Sequence, residues 1–182
     1  MVSPFNIRKA ARSVLQGGII AYPTEAVFGL GCDPYQPSSV YRLLALKNRP
    51  VEKGLILVGS QLEQFNDFIE PLSDAQQTTI KSNRETTWVV PAKNAPTWLR
   101  GQFSSLAIRL SKHPIVIRLC DELNQPLVST SANPAGKNPA KNYLQALQYF
   151  KQLDIILHSE TGTLNRPTEI RNLIDQSVIR NN

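Results

Sequence analysis

The sequence predicts an α/β fold: a single domain with an open, twisted, mixed β-sheet flanked by helices. Short apolar segments of strand length alternate with segments of helical periodicity along the 182 residues. The apolar segments 86–91 and 105–110 have no helix between them, which indicates a local antiparallel hairpin within the sheet. No repeat, low-complexity tract or change in composition marks a linker, so we expect one domain spanning residues 1–182.

Capping and breaking residues set the boundaries of these elements. Ser3 followed by Pro4 favours a helix start, because serine caps the first turn and proline has no amide hydrogen to leave unpaired. Pro50 ends the second helix, since proline pushes the residue before it out of the helical region. The predicted helices span 4–16, 38–47, 74–82, 114–124 and 141–151. The predicted strands span 19–22, 54–59, 86–91, 105–110, 126–131, 153–157 and 168–174, and the tail from Asp175 is polar.

The composition indicates a globular protein with anionic partners. Twenty Lys and Arg residues against 14 Asp and Glu give a net charge of +6, which favours nucleic acids, nucleotide phosphates or acidic membranes as partners. No apolar run approaches the roughly 20 residues that a membrane-spanning helix needs, so no span is expected. The N-terminus has neither the apolar segment nor the small-residue cleavage site of an export signal, so we expect the cytoplasm.

Cysteines and histidines are few and lie far apart. Cys32 and Cys120 each stand beside apolar residues, which predicts free, buried thiols in a reducing compartment. His113 and His158 are equally isolated. Because no spacing resembles a zinc site or a Cys–His nucleophile pair, we expect neither a protein-ligated metal nor covalent cysteine catalysis.

The segment 19–33 places polar groups at the end of a buried strand. Its strand stops at Pro23, which cannot donate to a β-ladder, and the hydroxyl of Thr24 and the carboxylate of Glu25 follow. Open α/β sheets bind ligands at strand ends, although an ordinary strand-to-loop junction explains the same pattern. Glu25 either orients neighbouring groups or a metal-bound water, or pairs with a basic side chain of the loop.

Cations cluster after the second helix. Because Pro50 forces Arg49 out of the helix, Lys47 and Arg49 can converge on one anion, and Lys53 lies three residues further on. The cluster therefore indicates a phosphate site. The alternative is that Lys47 complements the C-terminus of the helix, which is a common arrangement.

Two further strands carry candidate ligand groups. Ser129-Thr130-Ser131-Ala132-Asn133 holds three hydroxyls and an amide, which are costly to bury without partners; a locally hydrogen-bonded turn is the alternative to a ligand site. Alternation along the segment 105–110 places Arg109 on the face with the small residues, where a guanidinium can bind a carboxylate in a bidentate manner. If that strand is an edge, Arg109 is instead solvated.

Five motifs in register resemble the YrdC/Sua5 family. They are Tyr-Pro-Thr-Glu-Ala-Val-Phe-Gly-Leu-Gly-Cys-Asp from residue 22, Lys-Asn-Arg-Pro from 47, Ser-Leu-Ala-Ile-Arg from 105, Ser-Thr-Ser-Ala-Asn from 129 and Pro-Thr-Glu-Ile-Arg from 167. The resemblance covers about residues 6–175 and is to the short, single-domain bacterial members. It implies a YrdC-like fold with a basic concave cleft.

The resemblance also implies a reaction. Members of this family join L-threonine, bicarbonate or CO2, and ATP into threonylcarbamoyl-adenylate and pyrophosphate, so a nucleotidyltransferase is expected. The product would pass to the tRNA threonylcarbamoyl transferase complex. Such a reaction needs two anions to be neutralised and aligned, and it needs no side-chain nucleophile. Mg²⁺ is the expected cofactor, held largely by phosphate oxygens and water.

The same resemblance assigns residues to the two substrates. Lys47 and Arg49 are the expected catalytic residues, which hold the triphosphate with Mg²⁺. The expected L-threonine site is Thr24, Arg109, Ser129 and Thr168, with Arg109 binding the carboxylate. The expected ATP site is Lys47, Arg49, Lys53, Ser105, Ser131, Asn133 and Arg180.

One segment departs from the family pattern. Asn83-Arg84-Glu85 stands where family members usually carry Pro-Gly-Pro, so a rigid turn is lost and an inactive paralogue of the same fold stays an alternative. A rival from another class is an RNA-binding factor of ribosome or tRNA maturation, and weak tRNA or RNA binding is also compatible with the enzyme. Against the RNA-binding factor, no cluster of aromatic residues on a strand offers a base-stacking platform.

Overall fold

The computed structural model describes residues 2–164 and 166–181, which form an open nine-stranded sheet with helices on both faces. The strands are β1 (Ile20–Pro23), β2 (Phe28–Gly31), β3 (Ile56–Gly59), β4 (Thr86–Pro91), β5 (Ser105–Leu110), β6 (Leu127–Ser131), β7 (Ile155–Ile156), β8 (Glu169–Asn172) and β9 (Val178–Arg180). The helices are α1 (Pro4–Leu15), α2 (Pro37–Lys47), α3 (Asp74–Ser82), α4 (Thr97–Arg100), α5 (Pro114–Leu123) and α6 (Tyr143–Tyr149), with short 3₁₀ helices at Val51–Lys53 and Leu62–Phe65.

The sheet is mixed, with the order β7-β1-β2-β6-β3-β5-β4-β8-β9. The pairs β1–β7, β3–β5 and β4–β8 are parallel, and the other neighbours are antiparallel. Trp88 of β4 lies opposite Ile108 of β5 in an antiparallel register. These pairings confirm the predicted open mixed sheet and the antiparallel pair. The connection between the two strands contains α4, so it is longer than a hairpin turn.

Side chains of β1 alternate between two apolar layers. Ile20 and Tyr22 pack with residues of α1 and α5, and Val58 of β3 belongs to the same layer. Ala21 packs on the opposite face, in the layer that contains residues of α2, α3, α4 and α6. Because β1 is buried on both faces, its sequence reads as a continuous apolar run rather than as an alternating one.

Local capping determines where the helices begin. Ser3 Oγ accepts a hydrogen bond from the amide of Asn6 (3.2 Å), and Ser73 forms a reciprocal capping box with Gln76. His113 caps α5, because its Nδ1 accepts a hydrogen bond from an amide of the first turn (3.3 Å). The five helices predicted from the sequence are all present, with small differences at their ends.

The sequence does not predict β2, β9 or α4. β2 contains Gly29 and Gly31, and two glycines in four residues indicate a turn. Here glycine permits close packing instead: a Cβ at Gly31 would lie 2.6 Å from the carbonyl oxygen of Val128. β9 is exposed along its length and lacks the apolar alternation of a half-buried strand. None of the helices in the described parts of the chain is long and apolar enough to cross a membrane.

Candidate active site

A polar cavity of about 300 Å³ lies where β1 and β6 end and β8 begins. Among the described residues that line it are five with hydroxyl groups, three arginines and one glutamate. These polar lining residues are Thr24, Ser129, Thr130, Ser131, Thr168, Arg49, Arg109, Arg180 and Glu25. Because the ends of several strands border this one cavity, residues that are distant in the sequence meet there.

The four residues predicted to bind L-threonine all line this cavity. Arg109 Nη1 donates a hydrogen bond to Thr168 Oγ1 (2.9 Å), and Thr168 Oγ1 also contacts the hydroxyl of Thr87 (2.9 Å). Thr24 Oγ1 donates to the carbonyl of Val27 (2.7 Å), within the turn that joins β1 to β2. The structure therefore brings the predicted set together, with Ser129 at the end of β6.

Arg109 owes its position to the sheet. β5 lies between β3 and β4, so the alternative of a solvated edge strand is wrong. Only 8% of Arg109 is exposed, and its Nη2 lies 3.3 Å from Glu25 Oε2. The guanidinium is thus fixed by a hydroxyl on one terminal nitrogen and a carboxylate on the other.

Glu25 is the most heavily bonded side chain of the site. Its Oε1 accepts hydrogen bonds from Ser111 Oγ, from the amide of Lys112 (3.0 Å) and from the amide of His113 (3.4 Å). Burial pushes the pKa of Glu25 upward, but the charge of Arg109 and the bond from Ser111 outweigh it, so the pKa is lowered. Glu25 is therefore ionised at neutral pH. Its basic partner is Arg109 of β5 and not a side chain of the loop, which the sequence offered as one alternative.

Sequence reasoning missed the turn 111–113 and Thr87. The turn precedes Pro114, the first residue of α5, and the free amides at a helix N-terminus attract carboxylates. That signal was available, but the partner of those amides is Glu25, which lies 87 residues before Lys112 and 88 before His113. Nothing in the sequence around Thr87 indicates its contact with Thr168.

The segment 160–164 lies against the main chain of Thr24 and Glu25. Its Gly162 amide donates to the carbonyl of Thr24 (2.8 Å), and the amide of Leu164 donates to the carbonyl of Glu25 (3.0 Å). A Cβ at Gly162 would lie 2.7 Å from the carbonyl oxygen of Glu25 and 3.0 Å from its Cα. Glycine is therefore required at position 162 for this close approach. The segment lies just before Thr168, which lines the cavity.

Three arginines raise the positive potential of the cavity. Burial lowers the pKa of Arg49, and the charge of Arg180 lowers it further. Burial and the charge of Arg109 act on the pKa of Arg180 in the same way. Arg49 donates to the carbonyl of Gly54 (2.8 Å), and Arg180 Nη2 donates to the carbonyl of Thr168 (3.0 Å). Such like-charge proximity favours a bound anion.

Lys47 lies behind the cavity rather than in its wall. It is 6% exposed, and its ammonium donates to the carbonyls of Ser131 and Asn133 (2.8 Å to Asn133) and to Asn133 Oδ1 (3.3 Å). Ser131 Oγ donates to the same Oδ1 (2.6 Å). Burial, followed by the charge of Arg49, lowers the pKa of Lys47 to about 8. The ammonium thus donates three hydrogen bonds, all to Ser131 and Asn133 at the end of β6 and just after it.

A second cavity, also of about 300 Å³, adjoins the first and contains part of the predicted ATP set; Ser131 lines only the first cavity, and Asn133 is not among the described lining residues of either. Lys53 and Ser105 line it, and Arg49 and Arg180 line both cavities. The rest of its wall is largely apolar and includes Leu55, Ile56, Val89, Leu99, Phe103, Leu106, Ala107, Ile170 and Ile179. The two arginines therefore stand at the junction of a polar space and an apolar one.

Known proteins resemble this chain in sequence and in fold. A family model covering Sua5, YciO and YrdC, described as "Telomere recombination", matches residues 12–181. The chain belongs to the Sua5/YciO/YrdC family. A Pseudomonas putida threonylcarbamoyl-AMP synthase is 47% identical over 99% of this chain and 99% of its own length. The Cellvibrio japonicus protein of the same name is 46% identical over 96% of this chain and 94% of its own.

Solved structures of this family have the same fold. Sua5 of P. abyssi, in a structure complexed with L-threonine, has a TM-score of 0.90 at 22% identity over 98% of this chain. The chain spans about half of that protein, 54% of its length. E. coli YciO has a TM-score of 0.85 at 22% identity, over 98% of this chain and 89% of YciO.

The segment 83–85, which departs from the family pattern, is anchored by side chains. Arg84 Nη2 donates to the carbonyl of Ser60 after β3 (2.7 Å), and Glu85 forms an exposed ion pair with Lys112 (3.2 Å). Among the described lining residues of the two cavities, none comes from this segment. Contacts of two charged side chains thus hold this loop in place.

We predict that Gly162→Ala loosens the segment 160–164. Main-chain atoms of Glu25 cannot yield to the added methyl group, so the segment must shift, which costs about 1–3 kcal/mol of unfolding free energy. Urea denaturation measures this loss, and hydrogen exchange at the amide of Leu164 should quicken. The control Thr163→Ala changes an exposed neighbour and should leave both readouts unchanged. Equal losses in the two variants would contradict the crowding argument.

Proposed function

We propose that this protein makes threonylcarbamoyl-AMP and pyrophosphate from L-threonine, bicarbonate or CO2, and ATP. The observation that carries the proposal is the meeting of two unlike cavities at Arg49 and Arg180. One is polar, with hydroxyls and an ion-paired arginine, and the other is mainly apolar. The name shared by relatives 46–47% identical over almost the whole chain supports the same activity.

The polar cavity suits a small amino acid. Arg109 would bind the α-carboxylate, since its remaining N–H groups can form charge-assisted hydrogen bonds. Thr24, Ser129 and Thr168 offer hydroxyls around the same space and would bind the substrate hydroxyl and amine. An arginine that is already ion-paired loses little freedom on binding, which supports preorganised recognition.

The adjoining cavity suits a nucleotide. Its apolar wall would receive the base, with Ser105 as a hydrogen-bonding group. Arg49, Lys53 and Arg180 line it and would neutralise the phosphates. Lys47 would join them by exchanging its contacts with the carbonyls of Ser131 and Asn133 for phosphate oxygens, and these two residues would then contact the nucleotide.

The proposed chemistry joins the two cavities. The threonine nitrogen attacks CO2 and releases a proton, or condenses with bicarbonate and releases water, to give a carbamate. A carbamate oxygen then attacks the α-phosphorus of ATP, and the bond to pyrophosphate breaks. Alignment and charge neutralisation by Arg49, Arg180 and Lys47 are sufficient, because no protein nucleophile takes part.

Mg²⁺ fits the donor set as a nucleotide-borne ion. Glu25 is the single carboxylate among the described lining residues of the two cavities, and it is bonded to Arg109 and to the turn 111–113. The ion would therefore be held mainly by phosphate oxygens and water, as is usual for Mg²⁺. When bound, it supplies further neutralisation of the triphosphate. The product would then pass to a tRNA threonylcarbamoyl transferase complex.

The decisive experiment is product detection. Purified protein is incubated with Mg²⁺, ATP, L-threonine and bicarbonate, and mass spectrometry follows threonylcarbamoyl-adenylate while a coupled assay follows pyrophosphate. Product should form only when threonine, carbonate source and ATP are all present. Folded protein that forms no adenylate would be an inactive paralogue, and salt-sensitive RNA binding in its place would favour the RNA-binding alternative.

We predict opposite substrate effects for two cationic residues. Arg109→Ala should raise the KM for L-threonine about 10- to 100-fold, because a charge-assisted contact is lost, and should change the KM for ATP little. Lys47→Ala should do the reverse. Steady-state titration of each substrate measures both, and Lys81→Ala on the exposed face of α3 is the matched control. Equal losses in both titrations would refute these roles.

We also predict that the pH profile of kcat/KM for ATP has a descending alkaline limb. Because the pKa of Lys47 is lowered to about 8, its ammonium is charged below that pH and neutral above it. The value of kcat/KM for ATP, measured at saturating threonine, should fall above about pH 8 by up to tenfold per pH unit. Lys47→Arg keeps the charge and should remove the limb. An unchanged limb in that variant would assign it to another group.

A further inference from the structure

We propose that Glu25 is a positioning residue that orients Arg109 to receive the carboxylate of the amino-acid substrate. The inference rests on the proposed threonine site, and it adds a residue that the predicted site does not contain. Glu25 belongs to the turn after β1, whereas Arg109 lies on β5 across the cavity wall. Its action on the substrate is indirect, through the guanidinium.

The first argument is the geometry of the guanidinium. Thr168 takes a hydrogen bond from Nη1 (2.9 Å), and Glu25 Oε2 lies 3.3 Å from Nη2. Contacts on both terminal nitrogens fix the plane of a guanidinium, whereas one contact leaves it free to rotate. Nε of Arg109 is buried and has no hydrogen-bond partner among the described residues. Glu25 thus supplies the second of the two constraints.

The second argument is that Glu25 is itself immobile. Ser111 Oγ and the amides of Lys112 and His113 all donate to its Oε1, so the carboxylate cannot turn away from the arginine. Its main-chain carbonyl accepts from the amide of Leu164 (3.0 Å). A carboxylate fixed by three donors can fix its partner, because little freedom is left to either group.

The third argument is the local charge. Arg49, Arg109 and Arg180 all line the polar cavity, and Glu25 is the one acid among the lining residues that the structure describes. A buried guanidinium that loses its counter-charge is costly and moves toward water or another anion. The carboxylate of Glu25 therefore keeps Arg109 in place against the repulsion of its neighbours.

Direct contact between Glu25 and the substrate is not what the geometry favours. Oε1 is taken by three donors, and Oε2 is buried beside Arg109 with no hydrogen-bond partner among the described residues. Neither oxygen is left facing open space, so Glu25 acts through the residue that it holds.

The test compares two Glu→Gln variants. Glu25→Gln removes the charge and keeps the shape. Glu85→Gln is the matched control, because Glu85 pairs with Lys112 of the same turn and is 54% exposed at its side chain. Each protein is titrated with L-threonine and with ATP, and calorimetry compares its binding of L-threonine with that of threoninol, which lacks the carboxylate.

In Glu25→Gln we expect the KM for L-threonine to rise about 10- to 100-fold, as for a misplaced contact group, with the KM for ATP within about twofold. The preference for L-threonine over threoninol should shrink in the same variant and persist in Glu85→Gln. An unchanged or tighter threonine affinity, or an equal effect on ATP, would overturn the inference. Wild-type protein that binds no threonine would refute the proposed function instead.

A second variant keeps the test decisive if Glu25→Gln fails to fold. Ser111→Ala removes one of the three donors to Oε1 and leaves the charge and the two main-chain amides. It should raise the KM for L-threonine about threefold, a smaller effect of the same kind than that of Glu25→Gln, because the charge of Glu25 and two of its three donors remain. A KM equal to that of wild type would count against Glu25 as a positioning residue.

Discussion

The buried ion pair between Glu25 and Arg109 is the interaction around which this end of the sheet is arranged. An ionised carboxylate and a guanidinium can be buried only if each has partners, because an unpaired charge in the interior carries a large desolvation cost. Glu25 comes from the turn after β1 and Arg109 from β5, and their partners come from the turn 111–113 before α5 and from Thr168 before β8. Satisfying one pair of charges thus ties together segments that lie far apart in the sequence.

The sheet order explains why two unlike cavities adjoin. β3 stands between β6 and β5, so the segment that leads into it, with Leu55 and Ile56, separates the polar hydroxyl cluster from the apolar wall. Arg49 reaches this boundary from the end of α2, and Arg180 reaches it from the outermost strand, β9. A reaction that joins an amino acid to a nucleotide needs such a boundary, because its two substrates differ in polarity yet must react at one point.

Much of this arrangement follows from local sequence rules, and the remainder depends on long-range contacts. The alternation in the segment 105–110 predicts the face on which Arg109 lies, but the interior position of β5 in the sheet depends on its pairing with β3 and β4, which no local pattern specifies. Gly31 marks a close approach, yet whether glycine serves a turn or a packed strand is decided by Val128, almost a hundred residues later. β9 is a strand of three exposed residues in the C-terminal tail, too short for periodicity to give a signal.

Lys47 shows how the same rules bear on catalysis. From the sequence it is either a phosphate ligand or a complement to a helix end, and in the structure its ammonium donates to carbonyls of Ser131 at the end of β6 and of Asn133 just after it. These contacts hold the ammonium of Lys47 close to the guanidinium of Arg49, although the two positive charges repel each other. Burial and this repulsion lower the pKa of Lys47. A cation kept in place by neutral dipoles can exchange them for phosphate oxygens with a large gain in Coulomb energy and little reorganisation. Under the proposed function, Lys47 would make this exchange when ATP binds, and the polyanion would offset the repulsion among Lys47 and the arginines.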